Sequence, residues 1–541
     1  MRKKRKIYRW TATILFLGYT IPLLAQTFRP ARSEGALLHQ LATRYPEIMR
    51  IDTIGVTHSG IPILAVKLSA MPADTLPAVL FVGGIAPTDV TSPAVCVGLL
   101  QQFLARWDSV QALLQERAVY FIPRLSPEPL EGFFEHPQRA YVGNLCPEDE
   151  DRDGRVDEDD VEDLDGDGVV RWMRIYDVPE AEWTYHPDDS ALAQKVDRSR
   201  GEVGAFQFLP EGRDNDGDAQ INEDPRGGVN VDRNFTHRYQ PYRAHHGRHP
   251  FSEPETRAIG FFLFQHPEIL VVFGWTPYDN IHFPWRLRYP ENPTKPNRFR
   301  KDSLAYRRLV QRLDSLCPFV GEETVPPGSF GEWVFYDAGR LSLCAPAWAY
   351  PAVDTMTLPG EIEPIEIRAL RWAQRQQDTI LFRPWRSITH PDFPDHRVEV
   401  GGFAPFALWN PPPDTLPLLP QRWMPVVLDL LRQLPRLHLS AQVKQEQAGV
   451  YRVDLIVRNI GELPTHTVVG RAVRALRPLH VRVHLAKGQH LLNRPKHFVL
   501  PQPLQPGEQQ RLSLWIVGRG TTKITVGSPS AGRQTVSVRL Q

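Results

Sequence analysis

The chain reads as an α/β domain followed by a small C-terminal β-sandwich, and three observations carry that reading. Ala78-Val-Leu-Phe-Val82 is a wholly apolar strand that runs through Gly83-Gly84-Ile85 into a helix beginning near Ser92-Pro93. Ile269-Leu-Val-Val-Phe273 is a second buried strand, preceded by a stretch with a helix start. Strand–loop–helix units in this order suit a parallel sheet, where ligands gather at the carboxyl ends of strands. From about Arg436 the pattern becomes alternating, in His438–Val443, Tyr451–Val457, His480–His484 and Arg511–Val517. Short strands at such spacing predict a sandwich of immunoglobulin-like type over 436–541.

The 541 residues, 42% hydrophobic and 23% charged, leave room for a sizeable core. The 51 prolines punctuate apolar runs that continue between them, which predicts fixed loops rather than disorder. Residues 1–25 read as a secretory signal peptide: Arg2–Lys6 and Arg9 are basic, Thr13–Tyr19 apolar, and Leu23-Leu-Ala25 a cleavage end. Gly18 and Pro22 interrupt a run already short for a membrane span, so no transmembrane segment is expected after signal removal. Removing this segment takes away six positive charges and no negative ones, so a net +1 becomes −5. Neither value suits a nucleic-acid binder. The expected location is secreted, periplasmic or cell-surface. Cys96, Cys146, Cys317 and Cys344 allow three disulfide pairings, and their wide spacing gives no zinc knuckle.

In order, Leu37–Tyr45 predicts a helix, and Ile51–Val56 with Ile63–Ser69 a β-hairpin about the Ser59-Gly60 turn. The stretch from Gly227 to Ile259 opens with Gly-Gly-Val-Asn-Val-Asp-Arg-Asn-Phe and ends in Phe251-Ser-Glu-Pro-Glu-Thr-Arg-Ala-Ile259. Ser252 is the expected N-cap, with Pro254 in the first turn and Glu255 closing a capping box. His245, His246 and His249 lie in the loop before it without helical spacing, and read as an exposed polar loop. Further helices are expected over Lys301–Leu316, Glu361–Gln377 and Trp423–Leu434, and Pro411–Pro413 with Pro417 mark the approach to the sandwich.

Glu148–Asp167 holds thirteen acidic residues and two arginines, a local charge of −11. The run is patterned. Asp149, Asp151 and Asp153 precede Gly154, and Asp163, Asp165 and Asp167 precede Gly168, each matching the opening of a calcium loop. Asp214 and Asp216 precede Gly217, with Glu223 placed near a closing ligand. Insertions 148–168 and 212–224 are therefore expected to bind structural calcium, against the alternative of solvated acids.

Arg233-Asn234-Phe235, the Ser252–Arg257 helix start and the strand after it resemble the zinc carboxypeptidase (carboxypeptidase A-like) family. The helix with Tyr45-Pro-Glu-Ile48, the hairpin and Ala78–Leu104 resemble it too. The likeness runs over roughly 35–405, and the domain is placed at 30–430. It implies a mixed sheet of about eight strands flanked by helices. It also implies a His-x-x-Glu pair after the first strand, a His ending the second, and a catalytic Glu late in the domain. Those positions hold Ala86, Asp89, Trp275 and Pro346 here. Alanine and indole cannot ligate zinc, and proline is no general base. Where the family clamps a substrate carboxylate with Asn and Arg, this chain has Asp232 and Arg233.

The expected function is therefore that of a carboxypeptidase-like pseudo-peptidase: no catalytic residues, no zinc, structural calcium, and a cleft that binds an extracellular peptide, glycan or protein. An active zinc carboxypeptidase with displaced ligands stays open, as does a calcium-stiffened adhesion module; metal content and ligand binding distinguish them. Ala86, Trp275 and Pro346 are expected to converge and to fill part of the vacated zinc volume. Asp89, Asp232 and Arg233 would form the rim, with Asp89 bonded to Arg233 or the indole, and Asp232 free to pair with Arg233.

Overall fold

The computed structural model describes residues 27–71, 76–149, 154–179, 181–217, 220–222, 224–285, 300–351 and 363–541. The signal segment, Asp151, Asp153 and Glu223 lie outside them. Helix α1 (Ala31–Arg44) leads into the hairpin β1 (Met49–Val56) and β2 (Pro62–Leu68), then β3 (Ala78–Val82) and α2 (Thr91–Ala105). Helix α3 (Trp107–Leu114), β4 (Ala118–Ile122) and α4 (Glu128–Glu131) follow. Four short strands come next: β5 (Trp172–Tyr176), β6 (Trp183–Tyr185), β7 (Ala193–Lys195) and β8 (Phe206–Pro210). The domain continues with α5 (Pro254–Gln265), β9 (Ile269–Trp275), α6 (Arg300–Leu313), α7 (Phe330–Tyr336) and β10 (Leu341–Ala345). It closes with α8 (Ile365–Gln376), β11 (Phe382–Ile388), β12 (Val398–Phe403) and α9 (Leu419–Gln433).

The main sheet has six strands among the described residues, ordered β1-β2-β4-β3-β9-β10, where about eight were expected. β4, β3, β9 and β10 run parallel, and the β1–β2 hairpin joins them antiparallel through β2. Every residue of β3, β4 and β9 is buried, as parallel strands covered on both faces require. Helices α2 and α9 cover one face, where Phe81, Phe103, Phe273, Trp275 and Trp423 share a core. Helices α5 and α7 cover the other, over Leu80, Val82 and Val272. The predicted hairpin and all the predicted helices are present.

A second sheet was not foreseen. It is wholly antiparallel, in the order β11-β12-β5-β8-β6-β7. In β5, Met173 and Ile175 enter a small core with Ile221, Val398 and Val400, against which Leu164 of the acidic insertion packs. Arg174, between them, turns the other way and lies 3.9 Å over the Trp385 ring. The acidic insertions thus cover one face of this sheet.

The C-terminal part has two four-stranded sheets. They are formed by β13 (Leu437–Gln447), β14 (Val450–Asn459), β18 (Gln509–Val517) and β16 (His490–Leu491) in one, and by β17 (His497–Leu500), β15 (Leu479–His484), β19 (Gly520–Ser528) and β20 (Gly532–Leu540) in the other. All pairings are antiparallel, and alternate residues of β14 and β18 enter a common core. Helix α10 (Val468–Ala472), inserted between β14 and β15, leaves that core and packs into the first domain. Its N-cap Thr467 donates to the Gly339 carbonyl at 2.6 Å. The approach is so close that a Cβ on Gly339 (φ +68°) would lie 2.3 Å from the Gly470 Cα.

Candidate functional site

The residues expected at the family's metal and catalytic positions come to one end of the main sheet. Val82 pairs with Gly274 and Ala345 with Trp275, so the segments carrying Ala86, Trp275 and Pro346 leave three adjacent parallel strands side by side. The loop from Gly83 to Val90 is tightly held. A Cβ on Gly83 would meet the Pro123 carbonyl at 2.6 Å, and Asn410 bonds the Val90 N–H, the Thr91 hydroxyl and the Thr88 carbonyl.

Asp89 does not reach Arg233 or the indole. Its Oδ1 accepts the N–H groups of Thr91 and Ser92 at 3.0 and 2.9 Å, so its carboxylate is absorbed at the start of α2. The short side chain favours this local bonding. Burial pushes its pKa up to about 6 despite those bonds. Trp275 is fully buried among Phe81, Phe273 and Trp423, with ring centroids 5.5–5.7 Å away. The indole therefore belongs to the core beneath α9, not to a cleft platform, and its Nε1 has no acceptor among the described residues. These residues do not fit a zinc ion: one has no lone pair, one is engaged as a helix cap, and one offers only an N–H.

Asp232 does not pair with Arg233 either. Its Oδ1 accepts the Phe330 N–H at 2.8 Å, at the start of α7, and the Tyr278 hydroxyl at 3.2 Å. Burial raises it to about 6. Arg233 is half-buried, and its guanidinium makes no hydrogen bond or ion pair with the described residues. Glu322, raised by burial to about 7, feels its charge.

The Gly227–Ile259 stretch is knotted by Asn234. Its Nδ2 donates to the carbonyls of His246 and His249 and to Ser252 Oγ, while its Oδ1 accepts the Glu253 N–H and the Thr256 hydroxyl. Ser252 is thereby diverted: Glu253 occupies the N-cap, and no capping box forms. His246 is buried, contrary to the expected exposed loop. The three loop histidines do not gather as a metal group among the described residues.

Two clusters with metal-ligand character do occur. In the acidic insertions, Asp163, Asp165 and Glu211 bring carboxylate oxygens within 4.8 Å of one another. Asp163 accepts the N–H groups of Gly166, Asp167 and Gly168, a turn of calcium-loop shape. Asp167 instead faces Arg171 and Arg383, and Asp165 also meets Arg383 and Arg386. Glu211 was missed from the sequence, since it stands alone ahead of Gly212. It accepts the Leu164 and Arg171 N–H groups, and burial raises it to about 8. The two insertions meet at Asp159, whose carboxylate accepts the N–H groups of Asn215 and Asn222. Asp149 accepts from Gly154 and Asp214 from Gly217, and Asp216 lies in the same short turn as Asp214.

The second cluster joins His58, Cys146 and Glu253, also within 4.8 Å, and no sequence spacing announced it. All four cysteines are free thiols.

A carboxypeptidase-like α/β domain, joined to an antiparallel β domain, is what the fold defines. Residues 35–138 match the zinc carboxypeptidase family model, and residues 437–539 match a Domain of unknown function (DUF8731). No curated protein matches. Among solved structures, carboxypeptidase A from Helicoverpa armigera is 13% identical with a TM-score of 0.36, over 60% of this chain and 66% of its own. Bovine thrombin-activatable fibrinolysis inhibitor is 15% identical with a TM-score of 0.34, over 59% and 86%. A Pseudomonas aeruginosa metallo-carboxypeptidase is 13% identical with a TM-score of 0.29, over 74% and 70%. The chain spans 66% of the insect enzyme's length. No described helix is long and apolar enough to cross a membrane.

Proposed function

We propose that this protein is an exported carboxypeptidase-like binding module without peptidase activity. Its cleft takes a carboxylate-bearing ligand, the end of an extracellular peptide or protein or an acidic glycan. The observation that carries this reading is Arg233, a half-buried guanidinium with no partner among the described residues, beside Asp232, whose carboxylate accepts the Phe330 N–H. A guanidinium presents a planar fork of donors matched to a carboxylate. The loss of turnover is supported by Ala86, by Trp275 in the core and by Asp89 as a helix cap. Calcium at Asp163, Asp165 and Glu211, and at the loops of Asp149 and Asp214, stiffens the second sheet, and the C-terminal domain is an immunoglobulin-like appendage. The test is incubation with a panel of peptides and read-out of released C-terminal amino acids. None is expected with or without zinc. Release that chelator abolishes and zinc restores refutes the reading. Binding of acidic-ended peptides should weaken at least tenfold in Arg233→Ala, and unchanged binding moves the ligand elsewhere.

A further inference from the structure

Glu253 lies just ahead of α5, is 2% exposed, and is reached from two other segments. His58, in the turn between β1 and β2, places Nε2 3.0 Å from Glu253 Oε2. Asn144 donates to the same oxygen at 2.8 Å and to Glu255 Oε2 at 3.1 Å, so the two carboxylates share one amide. Cys146 brings its thiol to the same place, within 4.8 Å of both other ligand atoms. Glu128 fixes the frame, accepting the Ser59 N–H at the hairpin turn and the Leu145 N–H, each at 2.6 Å.

Among the described residues the surroundings are short of positive charge. Glu255 is fully buried, yet its Oε1 has no hydrogen-bond donor among the described residues, and neither has the buried Glu148 Oε2. The charges acting from the neighbouring loop are those of His245 and Arg248, and neither makes an ion pair with these carboxylates. A buried carboxylate oxygen without a donor is costly, and either a proton or a bound cation relieves it. A nitrogen, a sulfur and an oxygen are what a borderline-soft divalent ion selects, while calcium takes oxygens alone.

We propose that His58 Nε2, Cys146 Sγ and the Glu253 carboxylate form a binding site for a zinc-class divalent cation, with buried Glu255 behind it. Tetrahedral bonds of zinc length set ligand atoms about 3.3–3.6 Å apart, against a His58–Glu253 separation of 3.0 Å and an upper bound of 4.8 Å for the three here. Binding replaces the S–H bond of Cys146 by an S–metal bond and releases its proton to solvent. The fourth position faces water on the side of His58, whose side chain is 33% exposed. The ion ties the hairpin turn, the segment around Cys146 and the start of α5. It uses no residue of the Arg233 cleft, so it stands whether or not that cleft binds.

The test uses the full chain with Zn²⁺ and Co²⁺ alone. After loading and removal of excess, one zinc per chain is expected. Co²⁺ should give a near-ultraviolet thiolate-to-metal band that Cys146→Ser abolishes. His58→Ala, at an exposed turn, should weaken zinc by about 100-fold or more, since even outer partners cost about 10–100-fold. Asp163→Asn should leave the cobalt band intact. Zinc retained by Cys146→Ser and His58→Ala as well as by the unaltered chain, or cobalt bound without the band, overturns the proposal.

Discussion

Two regions at the same end of the main sheet differ in how their polar groups are satisfied. At the carboxyl ends of β3, β9 and β10, Asp89 and Asp232 each accept backbone N–H groups at a helix start, and Trp275 has joined the core. Around Glu253, the carboxylates of Glu255 and Glu148 keep buried oxygens without donors among the described residues. In the first region short acid side chains take up backbone N–H groups: Asp89 those at the start of its own α2, Asp232 that of Phe330 at the start of the distant α7. In the second, Glu253 faces His58 and shares the Asn144 amide with Glu255.

The largest effect that could break this contrast is at Trp275. Trp275→Ala should lower unfolding free energy by about 3–5 kcal/mol, measured by urea titration, because the indole fills core between Phe81, Phe273 and Trp423. A loss under about 1 kcal/mol would return the side chain to the cleft as a ligand platform. Next is Asp89→Ala, expected to cost about 1–2 kcal/mol through the lost cap, to the same extent with and without chelator. A chelator-dependent cost would mean that Asp89 holds a metal after all.

A third effect is a pH slope. Glu211 and Glu255 are raised by burial to about 8, against ordinary values near 4.5. The folded state holds their protons where the unfolded state has released them, so metal-free protein should lose stability as pH rises from about 5 to about 8. Each group contributes at most about 1.4 kcal/mol per pH unit. Thermal midpoints across that range measure it. Glu211→Gln and Glu255→Gln should each flatten the curve, calcium should flatten the Glu211 share, and zinc the Glu255 share. A flat profile in the untreated protein would leave both clusters satisfied without ions.

The parallel strands were legible because Ala78–Val82 and Ile269–Phe273 are apolar throughout, and a strand buried on both faces needs nothing else. The second sheet was not. Its strands carry Trp172, Arg174 and Tyr176 on one face, residues that look like surface until Trp385 covers Arg174. The helix start at Ser252 was read one residue early, because Asn234, eighteen positions away, takes the serine hydroxyl as its own partner. The partner chosen by Asp89 was misjudged for the opposite reason: the nearest donors, its own helix's N–H groups, won over distant ones. Glu211 and the His58–Cys146–Glu253 group come from separated segments, and only the folded chain brings them together.

The contact between Gly339 and Gly470 bears on how the molecule comes apart. With α10 bedded among Leu463, Val469 and Leu476 in the first domain's core, the C-terminal sheets are not a passenger on a hinge. Removing everything after Leu434 would open an apolar socket beside α6, and leave buried Asp302 without the N–H groups of Val468 and Val469. Heat should therefore melt both halves in one transition, and a protease that nicks the connection should find little to release.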